Sequence, residues 1–509
     1  MGEILTLGES TCMATQNTVE REFLSRVNLI QAHGLGLSVD VYSPDLTSLL
    51  GALHRRQVRP AYLEVFRAAP AALAVVRSQA RDSLLTYHGE GLWLTQPGIA
   101  DDPLFGEEVR EAAGHLQTLD SAWLNHECAA KSIAGYSFGT YLPPLYTESS
   151  AFIVAENTRH VQELLDRQCR LSHGVSPLVL LEMPPLTYFV AGTVAVPRFF
   201  QLAIQRAPCG LVLDIGHLWT VYRYSGAWRA ASLVQFVRTF LDEFPLHRVV
   251  EIHVAGLSIH ELGPTVASGP VKPNQGDFLP AWIDAHAAPI PAVLFEMLDQ
   301  VLSHPGLTSL RGLALEVDTK PVELIVDEFA RFTERYRSLP FPANSTPAGS
   351  DDRTVWLPEV EQLPDTVVRG LEEAYDRYAR VAVGRAVPTG PEWTNPTGCA
   401  DDIDLYRSIY LPYEVLHWGG DVVSMFPESC RRLTGRGVPL SRFVPFWFSR
   451  PRPRSRSYDF FLVKIERFLE FVLNEAPDVG GIAEQEADEL RRAYEVANEP
   501  LVQTVSECP

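Results

Sequence analysis

The stretch GLVLDIGHLW, residues 210–219, decides how this chain is read. Its first four residues form a short apolar run of the kind that makes a fully buried strand. Asp214 stands where that strand would end, and His217 follows three residues later, in the turn toward the next helix. A carboxylate and an imidazole leaving the end of a buried strand must be paired, hydrogen-bonded or bound to a metal. Taken alone, Asp214 reads equally well as the cap of the following helix and His217 as a satisfied turn residue. The same pattern recurs along the chain, and the recurrence favours a site.

Seven further apolar segments have the same character. They are 34–40 (GLGLSVD), 61–66 (AYLEVF), 84–89 (LLTYHG), 121–127 (SAWLNHE), 177–183 (PLVLLEM), 249–256 (VVEIHVAG) and 312–318 (GLALEVD). Helical sequence separates them, as at 45–56, 107–119, 149–169, 196–206, 230–244, 292–302 and 321–339. Strands alternating with helices imply a parallel sheet. Eight such units are the count of a (β/α)8 TIM barrel, with an open doubly wound sheet as the alternative. No GxGxxG follows the first strand and there is no P-loop, which weakens a dinucleotide or nucleotide reading. The stretch after the fourth strand, with Gly135, Gly139, Pro143 and Pro144, reads as a long loop.

A Pro-, Ser- and Gly-rich break at 338–353 (SLPFPANSTPAGSDDR) reads as a linker. It divides a barrel domain, 1–337, from a mainly helical accessory domain, 354–509, with helical segments at 367–383, 404–417, 458–475 and 482–496. Residues 443–457 (FVPFWFSRPRPRSRS) are aromatic and then basic. They read either as a core-filling run followed by an exposed loop or as a contact surface for an acidic or extended peptide.

The chain has 509 residues, 46% hydrophobic and 21% charged, with a net charge of −20. That acidity argues against sequence-independent nucleic-acid binding, which needs a basic footprint. The N-terminal MGEILTLGEST lacks a signal-peptide pattern, and no run of 18 apolar residues predicts a membrane span. The seven cysteines are scattered without a CxxC pair, which predicts reduced thiols in a cytoplasmic protein. Of 14 histidines, only His417 lies beyond His304, so imidazole chemistry belongs to the N-terminal two thirds.

In a TIM barrel the active site lies at the C-terminal ends of the strands. Asp40, Glu64, His88, His126, Glu182, Asp214 with His217, His253, and Glu316 with Asp318 all fall at such ends. Asp284 and His286 fall in the loop after the seventh strand. So many carboxylates and imidazoles at one mouth would repel or be desolvated without compensation, and metal cations supply it. A carboxylate–imidazole set without thiolates suits iron, manganese or zinc. It exceeds the three or four ligands of one zinc site, so two or three ions are expected. The alternative is a polar mouth that binds a sugar-like substrate with one metal or none.

Six motifs also occur in an order seen elsewhere: HGEGLWL (88–94), LLEMP (180–184), CGLVLDIGHLW (209–219), EIHVAG (251–256), IDAHAAPI (283–290) and LEVD (315–318). With LPPLYT (142–147), they resemble the multinuclear non-haem iron-dependent oxidative enzymes, the DUF692 family that includes the methanobactin-biosynthesis oxidase. The resemblance covers about residues 34 to 320. It implies a barrel holding two or three irons (Fe2+/Fe3+) that uses dioxygen to rearrange a residue, usually cysteine, in a ribosomally made precursor peptide. It implies His88, His126, Glu182, Asp214, His217, His253, Asp284, His286 and Glu316 as iron ligands, with His88, Asp214 and His217 nearest the chemistry. Asp40, Glu64 and Asp318 read either as groups that orient the ligand imidazoles or as residues in purely structural hydrogen bonds.

The sequence departs from the family pattern in places. The fourth-strand motif is usually Glu-His, whereas here Asn125 precedes His126 and Glu127 follows. Phe66 stands where a histidine is common, and Ala287 where an acidic residue is. His217 stands where many members have Asn, which favours a third metal. Family members often need a small partner protein that grips the peptide leader. The accessory domain reads either as that partner fused in cis, with Arg450, Arg452, Arg454 and Arg456 as contacts for an acidic leader, or as a domain that only covers the barrel or builds a dimer. Competing readings are a non-redox isomerase or phosphodiesterase using zinc, magnesium or manganese, and a scaffold that has lost turnover.

Overall fold

The computed structural model describes residues 18–169, 171, 176–259, 282–284, 286–342, 363–393, 400–452 and 459–498. In chain order the strands are β1 (Gly34–Val39), β2 (Tyr62–Phe66), β3 (Leu84–His88), β4 (Trp123–Glu127), a hairpin of β5 (Ala130–Ile133) and β6 (Tyr136–Leu142), then β7 (Leu178–Glu182), β8 (Gly210–Asp214), β9 (Val249–Val254), a short pair of β10 (Leu257–Ile259) and β11 (Trp282–Asp284), and β12 (Gly312–Glu316). Eight of them close a parallel barrel in the order β1–β12–β9–β8–β7–β4–β3–β2, with helices between successive barrel strands. Each of the eight expected strands is present within a residue or two of its expected limits.

Two features differ from the sequence reading. The stretch after β4, read as a loop, is the antiparallel β5–β6 hairpin, with Ser132 opposite Ser137 and Ile133 opposite Tyr136. Ala134 and Gly135 both have positive φ and make the tight turn between the strands. The segment after Asp214, read as a turn, is the helix Ile215–Tyr224, which begins at once because the Asp214 carboxylate accepts the His217 N–H.

Inside the barrel, alternate strand residues face inward. Tyr62, Trp123, Leu178, Leu180, Val212, Val250 and Ala314 fill its floor, closed from below by Phe23, Val27 and Ile30. The register between β8 and β9 slips by one residue after Leu211, which sets Glu251 level with Val212 and His253 level with Asp214. This irregularity turns both polar residues of β9 into the barrel.

The C-terminal region is helical, with Asp365–Ala382, Phe460–Glu475 and Gly480–Asn498 as its longest described helices. It shares one continuous apolar core with the barrel. The Tyr375 hydroxyl bonds Ser150 Oγ at 2.7 Å, and the Tyr378 hydroxyl donates to Pro143 O at 3.0 Å. Phe189, from the loop after β7, packs against Tyr378, Trp393 and Tyr406. Phe443, Trp447 and Phe448 are buried, so the aromatic half of 443–457 fills core. Most of the expected linker, 343–353, and the arginines Arg454 and Arg456 lie outside the described residues. Among the described residues, no helix is long and apolar enough to cross a membrane.

The floor leaves no room for added volume. A Cβ at Gly36 would lie 2.3 Å from Tyr62 Cε1, and one at Gly312 would lie 2.6 Å from the Tyr62 hydroxyl. Gly36→Ala is therefore expected to destabilise the protein by about 1–3 kcal/mol through overpacking. Urea unfolding followed by circular dichroism checks this, and an unchanged midpoint would contradict it.

Candidate metal centre

The mouth residues come from the last inward-facing position of each strand. On β4 the inward set is Trp123, Asn125 and Glu127, because Trp123 lies in the barrel floor and side chains alternate. On β7 it is Leu178, Leu180 and Glu182, and Glu182 is level with Glu127.

Three groups of acidic and imidazole side chains lie close enough to hold a metal ion among the described residues. His88, Glu127 and Glu182 form the first, and Glu182, His253 and Glu316 the second. Glu64, Glu251 and His253 form a third, deeper in the barrel. Glu182 belongs to both mouth groups and is 1% exposed. Its Oε2 lies 3.3 Å from His88 Nε2 and accepts from Asn125 Nδ2 at 2.8 Å. Its Oε1 lies 3.5 Å from both His253 Nδ1 and His217 Nδ1. His253 Nδ1 is also 3.2 Å from Glu316 Oε1, and its Nε2 is 3.0 Å from Glu64 Oε2. Glu64 Oε2 in turn accepts from Ser38 Oγ at 2.7 Å, and the Tyr62 hydroxyl donates to Glu251 Oε1 at 2.7 Å.

These contacts set the charges. Burial disfavours charge on His88, but Glu127, Glu182 and Glu64 outweigh it and push its pKa up to about 10. His253 is likewise raised, against burial, by Glu64, Glu316, Glu182 and Glu251. Burial would raise the Glu182 carboxyl, yet His253, His88 and His217 hold it well below its ordinary range. Burial and Glu182 push Glu127 up to about 7 despite His88. The cluster thus requires positive charge among its carboxylates. A divalent ion supplies that charge and releases the imidazole protons. Glu127 Oε2, Glu64 Oε1 and Glu251 Oε2 are buried and accept no hydrogen bond. An oxygen- and nitrogen-donor set with carboxylate oxygens to spare fits iron, manganese or zinc.

The other expected ligands are placed as follows. His126 lies on the outward face of β4: its Nδ1 bonds Glu127 O at 2.8 Å and its Nε2 accepts the Leu92 N–H at 3.1 Å. Burial lowers its pKa to about 4, so it is a neutral ring with both nitrogens engaged, outside all three groups. Glu127 occupies the inward position beside it. Strand alternation from Trp123 was the signal for this assignment. His217 stands in the first turn of its helix, and its Nδ1 donates to Met183 O at 2.7 Å, leaving Nε2 as the nitrogen able to ligate. Asp214 caps that helix, with Oδ1 3.9 Å from His217 Nε2. His286 Nε2 lies 3.1 Å from Glu316 Oε2, and its Nδ1 faces Asp318. Asp284 pairs with Leu257 through its backbone, and its side chain lies outside what is described. Asp40 accepts the Tyr42 N–H and lies outside the groups. Among the arginines, Arg450 is exposed, while Arg452 pairs with Glu470 and gives its N–H to Gly135 O.

A closed parallel barrel with a buried carboxylate–imidazole mouth defines a TIM-barrel protein equipped to hold metal ions. The model of the RiPP precursor modification enzyme family MbnB/TglH/ChrH matches residues 33–335, more than half of the chain, and the chain belongs to that family. A UPF0276 protein of Vibrio vulnificus (strain YJ016) is 25% identical over 194 residues, 38% of this chain and 56% of that protein. Another, from Rhizobium meliloti (strain 1021), is 27% identical over 239 residues, 46% of this chain and 64% of that protein. The chain therefore spans somewhat more than half the length of these relatives. Among solved structures, endonuclease IV from Thermus thermophilus aligns at a TM-score of 0.35 and 16% identity, over 59% of this chain and 99% of that one. D-Psicose 3-epimerase from Clostridium cellulolyticum aligns at 0.34 and 11%, over 61% and 99%. The fold assignment rests on the strand order above, not on these scores.

If Glu127 rather than His126 meets the metal, Glu127→Gln is expected to lower bound metal while His126→Gln leaves it near the native amount. Elemental analysis of both variants after anaerobic purification checks this. Equal retention by both, or loss only in His126→Gln, would contradict it.

Proposed function

We propose that this chain uses two or three iron ions and dioxygen to modify a residue oxidatively in a ribosomally made precursor peptide, with cysteine the first candidate. The observation that carries the reading is the sharing of Glu182 between the groups His88–Glu127–Glu182 and Glu182–His253–Glu316. A carboxylate placed between two imidazole-bearing groups suits a centre with more than one ion. Membership of a precursor-modifying family supports a peptide substrate.

In this reading His88, Glu127, Glu182, His253 and Glu316 hold the ions, and Asp214, His217, Asp284 and His286 complete the set. The irons, when bound, supply redox equivalents and open coordination positions. The chain supplies position and dryness. Glu64 fixes the His253 ring from behind, and Ser38 fixes Glu64. Asn125 holds one oxygen of Glu182. Phe66 packs against both His88 and His286, an apolar wall beside the reacting groups. His286 and Asp318, with side chains 18% and 27% exposed, mark the side from which a peptide reaches the mouth.

The helical C-terminal region would replace a separate leader-gripping protein, with Arg450 at its surface as one contact for an acidic leader. Cys128, Cys169, Cys209 and Cys430 are buried free thiols, which supports a reducing, cytoplasmic setting.

The test is metal analysis of anaerobically purified protein, followed by oxygen uptake and mass spectrometry with a short cysteine-bearing peptide encoded beside this chain. Two or three irons per chain and a peptide mass change that needs both iron and oxygen are expected. Stoichiometric zinc or manganese, with no oxygen uptake after iron loading, would overturn the proposal in favour of a non-redox isomerase or phosphodiesterase.

A further inference from the structure

Beneath the mouth lies the third group of carboxylate and imidazole side chains, Glu64, Glu251 and His253, each 0% exposed. Glu251 stands two residues before His253 on β9 and is level with the floor residue Val212, so the group sits where the polar mouth meets the apolar floor. The His253 ring divides the two levels. Its Nδ1 faces Glu182 and Glu316 at 3.5 and 3.2 Å, and its Nε2 faces Glu64 Oε2 and Glu251 Oε2 at 3.0 and 3.6 Å. Four carboxylates thus surround one imidazole, which carries a single positive charge when protonated. Among the described residues, no lysine or arginine pairs with Glu64 or Glu251.

The donor atoms below the ring are close together and uncommitted. One oxygen of each carboxylate is pinned from outside the group: Ser38 Oγ donates to Glu64 Oε2 and the Tyr62 hydroxyl to Glu251 Oε1, both at 2.7 Å. The other two oxygens, Glu64 Oε1 and Glu251 Oε2, accept no hydrogen bond. His253 Nε2 has no hydrogen-bond partner either, despite the short approach of Glu64. Buried polar atoms left unmatched are costly, and charged ones more so. A shared proton can serve one pair of these atoms, whereas a cation serves all three at once.

We propose that Glu64, Glu251 and Nε2 of His253 hold a divalent first-row transition-metal ion beneath the mouth. Two carboxylates and an imidazole suit iron, manganese or zinc rather than magnesium or calcium, which prefer oxygen alone. Ser38 and Tyr62 orient the carboxylate ligands. With an ion on Nδ1 as well, His253 carries metal on both ring nitrogens, and its ring proton leaves as the second ion binds. A third ion of the centre then has a place of its own, apart from the mouth groups. The bridge through His253 rests on the reading of the mouth as a metal centre, whereas the deep ion rests on its own three ligands.

The experiment uses the full chain, loaded with cobalt(II) in the absence of oxygen, in native, Glu251→Gln and Tyr62→Phe forms. Anomalous scattering at the cobalt edge from native crystals is expected to show a peak enclosed by Glu64, Glu251 and His253. Glu251→Gln should retain one cobalt fewer per chain than the native protein. Tyr62→Phe keeps every ligand and should weaken one class of sites about tenfold. If Glu251→Gln does not fold, the native crystal and Tyr62→Phe decide the matter. Cobalt in the mouth with none at the deep group, or a native cobalt count in folded Glu251→Gln, would overturn this proposal alone. A deep peak beneath an empty mouth would support this site and overturn the reading of the mouth.

Discussion

The carboxylate of Glu182, buried among His88, His217 and His253 within 3.3–3.5 Å, is the constraint on which the rest of the site depends. A charge at that depth is tolerable only with opposite charge beside it, and removing one partner of such a pair costs about 3–5 kcal/mol. The surrounding shells follow from this. The imidazoles need their own orienting groups, which Glu64 and the Met183 carbonyl provide. Those groups need support in turn from Ser38 and from the capped start of the helix Ile215–Tyr224. The barrel makes the arrangement possible by bringing strand ends far apart in sequence to one layer, and the helix 18–27 closes the opposite end.

Much of this was legible in the sequence. The eight strands were readable because each is a short run buried on both faces, bounded by turn residues and helical periodicity. The polar residues at their ends stood out because such residues are costly there. Three things were not legible from runs alone. The β5–β6 hairpin has little alternation, and its glycines read as loop when they mark close approach by the C-terminal region. The inward turn of Glu251 and His253 depends on a one-residue slip against β8 that no local pattern announces. The third was the choice between His126 and Glu127. A histidine at a strand end attracts attention, but the period of two runs Trp123, Asn125, Glu127 into the barrel and sends His126 outward to the Leu92 amide.

The C-terminal helical region is joined to the barrel by apolar and polar contacts alike. Its core is continuous with that of the barrel, so it is not loosely appended. Its polar contacts fall on the hairpin and on the loops after β6 and β7, which are the parts of a TIM barrel that surround the chemistry. The glycines at 135 and 139 accept side chains and backbone from it at distances that no larger residue would permit. Arg452, expected from sequence as a peptide contact, is engaged here in holding the turn of the hairpin.

The most direct test of the central claim is anomalous X-ray scattering at the iron edge from crystals of anaerobically purified, iron-loaded protein. The account predicts at least two iron peaks in the barrel mouth, with the Glu182 carboxylate between them, Glu127 at the first and Glu316 at the second. A single peak, or anomalous density only away from Glu182, would contradict it.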